Sequence, residues 1–302
     1  MSVEEETRCG FVALLGAPNA GKSTLMNAMV GAKVSIVTPK VQTTRSRILG
    51  VTSEGAAQLV FVDTPGIFRP RRRLDRAMVA AAWGGAADAD VIALLIDAKA
   101  GIDDNTQRII DGLKTAGRKA ICVFNKVDTV KRERLLTLTD RLRTEEIFSD
   151  FFMISALTGD GVADLRKALA ERLPEGPWHF PEDQLSDMND RLFSAEITRE
   201  KLFLNLHQEL PYSLTVETEK WEPFENGAVK IEQTIYVERD SQKGIVLGKG
   251  GERIRRIRTL AQEELEAILE RPVHLFLFVK VRENWGEDPE RYRDWGLDFS
   301  SE

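Results

Sequence analysis

Short apolar runs alternate with helix-like segments over roughly the first 180 residues. Phe11–Leu15, Leu59–Val62, Val91–Ile96, Ala120–Phe124 and Phe151–Ile154 are nearly continuous apolar stretches of strand length. Runs of this kind predict strands covered on both faces, as in a parallel sheet. Thr24–Val30, Asp75–Trp83, Asn105–Thr115 and Val162–Arg172 read as the helices between them. The alternation predicts an α/β domain with a mainly parallel sheet and flanking helices. Pro174, Pro177 and Pro181 then mark a linker. Beyond it the rhythm changes. Asp190–Leu210 reads as a long helix stopped by Pro211, and Leu214–Glu217 and Lys230–Glu238 read as strands. An apolar run, Ile245–Leu247, leads into a helix from Arg253 to about Leu269, and Val273–Val281 reads as a last strand. The expected order is helix, strand, strand, helix, strand. The expected division is an acidic tail over 1–7, a first domain over 8–176, a linker over 177–189 and a second domain over 190–302.

The length, 302 residues, suits roughly two domains. No apolar stretch approaches the ~20 residues that span a bilayer, and Met1–Glu6 lacks the apolar core of a secretory leader. Cys9 and Cys122 border apolar runs and read as small buried hydrophobes of a reducing cytosol. The net charge of −6 means that any nucleic-acid site must be a local basic patch. His179, His207 and His274 are scattered and read as structural.

Gly16-Ala17-Pro18-Asn19-Ala20-Gly21-Lys22-Ser23-Thr24 is a complete G-x-x-x-x-G-K-[ST] loop between a predicted strand and a predicted helix. Its backbone N–H groups and the helix N-terminus bind polyphosphate. Lys22 can reach the β- and γ-phosphates, and the Ser23 hydroxyl can ligate Mg²⁺. Four further elements follow in order: Thr43-Thr44-Arg45, Asp63-Thr64-Pro65-Gly66, Asn125-Lys126-Val127-Asp128 and Ser155-Ala156-Leu157. Singly each reads as a turn or cap; five in this order, several at strand ends, do not.

These motifs resemble those of translation-factor-type (TRAFAC) GTPases. The resemblance implies that Asp128 accepts from guanine N1 and N2, which adenine cannot satisfy. Asn125 would tie the base loop to the phosphate loop, Lys126 would lay its stem over the ring, and the Ala156 N–H would meet guanine O6. Asp63 would hold Mg²⁺ through water, with Ser23 and a switch threonine as ligands. Thr44 is favoured over Thr43, although the spacing leaves both open. Gly66 would offer its N–H to the γ-phosphate. Switch I is expected over about Lys33–Arg47 and switch II over about Gly66–Arg76. The arginines of the second (Arg69, Arg71, Arg72, Arg73, Arg76) form either a solvated stretch or a phosphate-backbone contact with RNA. Where Ras-like GTPases carry a water-orienting glutamine this chain has Ile67, so unaided hydrolysis is expected to be slow. Asn19 occupies the position that holds K⁺ in some such GTPases, and capping of the loop is its alternative role.

In the second half, Gly248-Lys249-Gly250-Gly251 opens a basic helix. From Arg239 to Arg258 seven basic residues face two acidic ones, and they include Lys249, Arg253, Arg255 and Arg256. Ile245, Val246, Ile254 and Ile257 are apolar in the same stretch. The segment resembles the G-x-x-G loop of a type II KH domain, which clamps about four single-stranded nucleotides. Gln42–Arg45 and Glu209–Ser213 match as well, and nearly the whole chain resembles a family of bacterial ribosome-assembly GTPases. That resemblance implies GTP and GDP as ligands, Mg²⁺, binding to the 3′ end of 16S rRNA and a role in 30S assembly. It also implies a cytoplasmic monomer with possible peripheral association with the inner membrane. Two alternatives are an ATP-dependent enzyme, which would have no use for Asn125–Asp128, and a GTPase whose KH-like domain binds protein. Trp285, Tyr292 and Trp295 are expected to pack rather than to stack on bases.

Overall fold

The computed structural model describes residues 6–41, 43–70, 73–207, 210–283 and 285. Gln42, Arg71, Arg72, Glu209, Tyr292, Trp295 and most of the acidic N-terminal tail lie outside the described residues, as does the Arg73 side chain. The chain divides into two compact units at Asp187 and Met188.

In the first unit, β1 (Arg8–Gly16), β3 (Ala57–Asp63), β4 (Val91–Asp97), β5 (Ala120–Asn125) and β6 (Phe148–Met153) are the expected strands, each a little longer than its apolar run. They form a parallel array. A further strand, β2 (Ile48–Glu54), joins antiparallel to β3 at the edge, and the order is β2-β3-β1-β4-β5-β6. Every residue of β3 is buried, as covering on both faces requires. The covering helices are α1 (Lys22–Val30), α2 (Arg73–Asp88), α3 (Asp104–Thr115), α4 (Arg132–Arg143) and α5 (Val162–Ala170). The parallel pairing sends the carboxyl ends of β1, β3, β4 and β5 to one edge. Gly16, Asp63, Asp97 and Asn125 stand at those ends, where ligands bind in such sheets.

The proline-rich segment is not slack. Cys9 N donates to Pro174 O and the Trp178 indole to Ala56 O. Gln58, buried on β3, receives His179 N and Phe180 N at its Oε1, at 2.9 and 3.0 Å, and donates to Phe180 O at 2.8 Å. Trp178 and Phe180 cover the apolar patch of Cys9, Leu49, Val51, Val60 and Val62. Further on, Val51 N donates to Leu185 O and Leu49 N to Asp187 Oδ1. Prolines did rule out helix and regular strand here, but apolar burial and one buried amide seat the segment as a strap on the sheet.

The second unit comprises α6 (Asp190–Asn205), β7 (Leu214–Pro223), β8 (Val229–Val237), α7 (Asp240–Leu247), α8 (Glu252–Leu269) and β9 (Val273–Val281). Its sheet runs β7-β8-β9, with β7 antiparallel and β9 parallel to β8. Two expectations are corrected. The helix expected to reach Pro211 stops at Asn205, because Leu206 and Leu210 turn into the core. The apolar run Ile245–Leu247 is the end of a helix, α7, so the order gains a second helix before α8. Val246 and Ile257 belong to the core, Ile254 packs against it, and Ile245 stands exposed. Trp285 is buried, its indole donating to Ser213 O at 3.1 Å, so it packs as expected.

Candidate functional site

The loop between β1 and α1 brings its glycines to places where a side chain cannot fit. Gly21 has φ +96°, and a Cβ there would lie 2.2 Å from Asn125 Nδ2. Lys22 begins α1 and folds back over the loop, donating to Gly16 O at 3.1 Å and Ala17 O at 3.3 Å. Burial pushes its ammonium down to about 8, with nearby Asp63 opposing the shift. Ala17 and Ala20 are buried, while Pro18, Ser23 and Thr24 face a cavity of about 420 Å³. Its volume falls in the range of about 300–1,000 Å³ usual for small-molecule sites.

At one end of this cavity the residues expected to meet a metal converge. Asp63 is fully buried, and its Oδ2 accepts from Ser23 Oγ at 2.6 Å and Thr44 Oγ1 at 3.3 Å. Ser23 Oγ and Thr44 Oγ1 are 2.9 Å apart. Thr43 lines the same cavity, but its hydroxyl is bonded to Thr38 Oγ1 and Lys40 O. A third hydroxyl, Ser35 Oγ, donates to Asp63 Oδ2 at 3.1 Å. Asp63 Oδ1 is buried and has no hydrogen-bond partner among the described residues. Desolvation raises the Asp63 pKa, opposed by Lys22 and the three hydroxyl donors. Two hydroxyls and a carboxylate with an unpartnered oxygen fit Mg²⁺, which takes hard oxygen ligands. Thr64, by contrast, donates to Leu14 O inside the fold, and Pro65 is buried. Gly66 lines the cavity against Pro18, and Ile67 turns into the core.

At the other end, Asn125 joins three loops. It donates to Ala20 O at 2.9 Å and accepts Lys126 N at 2.8 Å and Ala156 N at 3.0 Å. Lys126 has a positive φ of 63°, and its ammonium bridges Asn19 O and Asp97 Oδ2, both at 2.7 Å. That contact holds the Asp97 carboxyl below its usual range against the opposing effect of burial, with further help from Lys99 N and Ala100 N. Asp128 and Leu157 line the mouth, Asp128 exposed and Leu157 highly so, with Val127 partly buried beside them. Ser155 is buried and receives Thr158 N, which shapes the turn that presents Ala156. Asn19, at φ +64°, donates from Nδ2 to Pro39 O at 3.1 Å and so links the phosphate loop to the switch I segment. Sequence reasoning missed Ser35 and Asp97. An acid at the end of a predicted strand signals Asp97; no motif signals Ser35.

In the second unit, Gly248, Gly250 and Gly251 have φ of +74°, +60° and +76°, and they join α7 to α8 through a tight turn. Lys249 and Gly250 stand exposed at its tip. The Arg253 guanidinium donates to Ile245 O and Arg255 Nη2 to Gly250 O at 3.2 Å. Arg256 is exposed on the next turn. Of the switch II arginines, Arg69 and Arg76 are exposed.

Fold and site define a phosphate-loop GTPase joined to a KH domain. Residues 11–126 match the family model described as 50S ribosome-binding GTPase, and residues 209–286 match that of the KH domain. The chain is 64% identical to GTPase Era of Rhizobium meliloti (strain 1021) over 97% of its length and 94% of that relative's. It is 60% identical to GTPase Era of Brucella suis over 97% of its length and 94% of that relative's. A crystal structure of Era with MgGDPNP and nucleotides 1506–1542 of 16S ribosomal RNA superposes with TM-score 0.91 at 39% identity, covering 96% of this chain and 99% of that one. An Aquifex aeolicus Era variant bound to GDP·AlF4⁻ matches equally well. The chain belongs to the GTPase Era family and is a GTPase that binds GTP and GDP.

Phosphate oxygens placed beside Lys22 favour its charged form. GDP binding is therefore expected to take up about half a proton near pH 8, close to one about a unit higher, and none well below pH 7, where Lys22 is already charged. Affinity then falls as pH rises through about 8, by up to about tenfold per unit. Calorimetry in two buffers of different ionisation enthalpy counts the protons.

Proposed function

We propose that the protein is a GTP-driven switch that binds the 3′ end of 16S rRNA through its second unit and assists assembly of the 30S subunit. The observation that carries this reading is the Gly248–Gly251 turn. It has three glycines at positive φ between two helices, a lysine at its tip and arginines on the helix it opens. Glycine lets a backbone approach phosphates closely, and the cations form a local basic patch on a chain whose net charge is negative. The related Era that crystallised with 16S rRNA covers nearly the whole of this chain, which supports the same partner here. The reading has the protein act as a monomer in the cytoplasm, with any inner-membrane association peripheral, and no described helix is long and apolar enough to cross a membrane.

In the first unit, the phosphate loop and Lys22 would hold the phosphates. Asn125 would keep the base loop and the phosphate loop in register, and Asp128 would accept from the guanine edge. Ser23, Thr44 and Asp63 would hold Mg²⁺, which would neutralise phosphate charge. Thr44 and the Gly66 N–H would bring the two switches to the γ-phosphate. Ile67 sits in the core and cannot order the attacking water, so hydrolysis is slow and relies on other groups. A K⁺ ion held at Asn19 would add positive charge near the β–γ bridge.

A short RNA of the 16S 3′ end should bind with the non-hydrolysable GTP analogue present, and Gly250→Asp or Lys249→Glu should weaken it at least tenfold. Unchanged binding would favour a protein partner for the KH unit. Asp128→Asn should shift preference from GTP toward XTP in competition assays, since the amide reverses one donor–acceptor pairing. Hydrolysis should be faster in K⁺ than in Na⁺, and Asn19→Ala should erase that difference; equal wild-type rates in the two salts would remove the role given to Asn19.

A further inference from the structure

We infer that Ser35 is a positioning residue of the nucleotide site, a fixed donor that holds the Asp63 carboxylate in the orientation a magnesium nucleotide needs. The inference rests on the Mg²⁺ reading above and names a residue outside the motifs. Asp63 Oδ2 receives three hydroxyls, from Ser23, Thr44 and Ser35. The first two line the cavity and have oxygens suited to the metal, so their geometry changes with its occupancy. Ser35 does not line the cavity, although its neighbour Ile36 does. It is 1% exposed and meets Asp63 from inside the fold.

The Ser35 backbone is held as firmly as its hydroxyl is placed. Asn27 of α1 accepts Val34 N and Ser35 N at 3.0 Å each and donates to Ser35 O at 2.8 Å. This clamp ties the start of the switch I segment to the helix that carries Lys22 and Ser23. Thr44 reaches the cluster from the far end of the same segment, beyond exposed Val37 and Val41. Ser23 sits on α1 and Ser35 is clamped to it, so Thr44 is the hydroxyl whose place depends on the path of that segment, and Ser35 is the fixed donor that does not itself face the cavity. It pins Oδ2 and leaves Oδ1, the oxygen without a partner among the described residues, as the acceptor for a metal-bound water.

The test follows retention of a fluorescent GDP by the full chain while free Mg²⁺ is varied, with EDTA as the zero point. Ser35→Ala should raise the Mg²⁺ concentration for half-maximal retention about tenfold, the effect expected for one hydrogen bond to a charged group. Affinity in EDTA should change far less, and Ser35→Thr, which restores the hydroxyl, should recover the midpoint. Asn27→Ala keeps the hydroxyl but frees its backbone, and it should give a smaller shift in the same direction; it also serves if Ser35→Ala does not fold. A wild-type midpoint in Ser35→Ala, or an equal loss of affinity with and without Mg²⁺, would overturn the inference alone. Wild-type retention indifferent to Mg²⁺ would overturn the metal reading and this inference with it.

Discussion

The buried amide of Asn125 is the constraint on which the nucleotide site depends. One side chain donates to the phosphate loop at Ala20 O and accepts from the base loops at Lys126 N and Ala156 N. The three loops therefore keep one spacing, which must match the length of a nucleotide from phosphates to base. Gly21 is the cost of that closeness, since any larger residue would strike the amide. Lys126 adds a second tie through Asn19 O and Asp97, and it holds its own backbone at a positive φ to do so. Strained residues of this kind gather where function fixes geometry.

Against this half stand the switch I and switch II segments. Thr44 and Gly66 reach the cavity from irregular stretches, and the cluster around Asp63 joins Ser35 and Thr44 of the switch I segment to Ser23 of the phosphate loop. The same carboxylate is costly to bury and is made tolerable by the nearby Lys22 ammonium and three hydroxyl donors.

Much of this was legible in the chain, for physical reasons that also explain what was not. Strands buried on both faces must be apolar throughout, so β1, β3, β4, β5 and β6 announced themselves. β2 did not, because only its first half is apolar and Gly50 interrupts it beneath Met26. α4 buries only a narrow apolar stripe, Leu135, Leu138 and Leu142, blurred by exposed Leu136 beside it, and Gly244 hid α7. The nucleotide motifs were visible because each is contiguous and most sit at a strand end. Ser35 was invisible because its role comes from Asn27, eight residues earlier, and from a carboxylate in another element. Between Thr43 and Thr44 the spacing had no preference, and the backbone path alone brings Thr44 to Asp63.

The strap at Leu185–Asp187 has a bearing beyond its own stretch. β2 is an outermost strand, and an outermost strand offers unpaired amides to any passing chain. Leu49 N and Val51 N are already taken by Asp187 and Leu185, and Gly50 bridges Ser186. A stretch whose prolines suggest a mere tether thus works as a selvedge, closing this side of the sheet against strand-by-strand growth into aggregates.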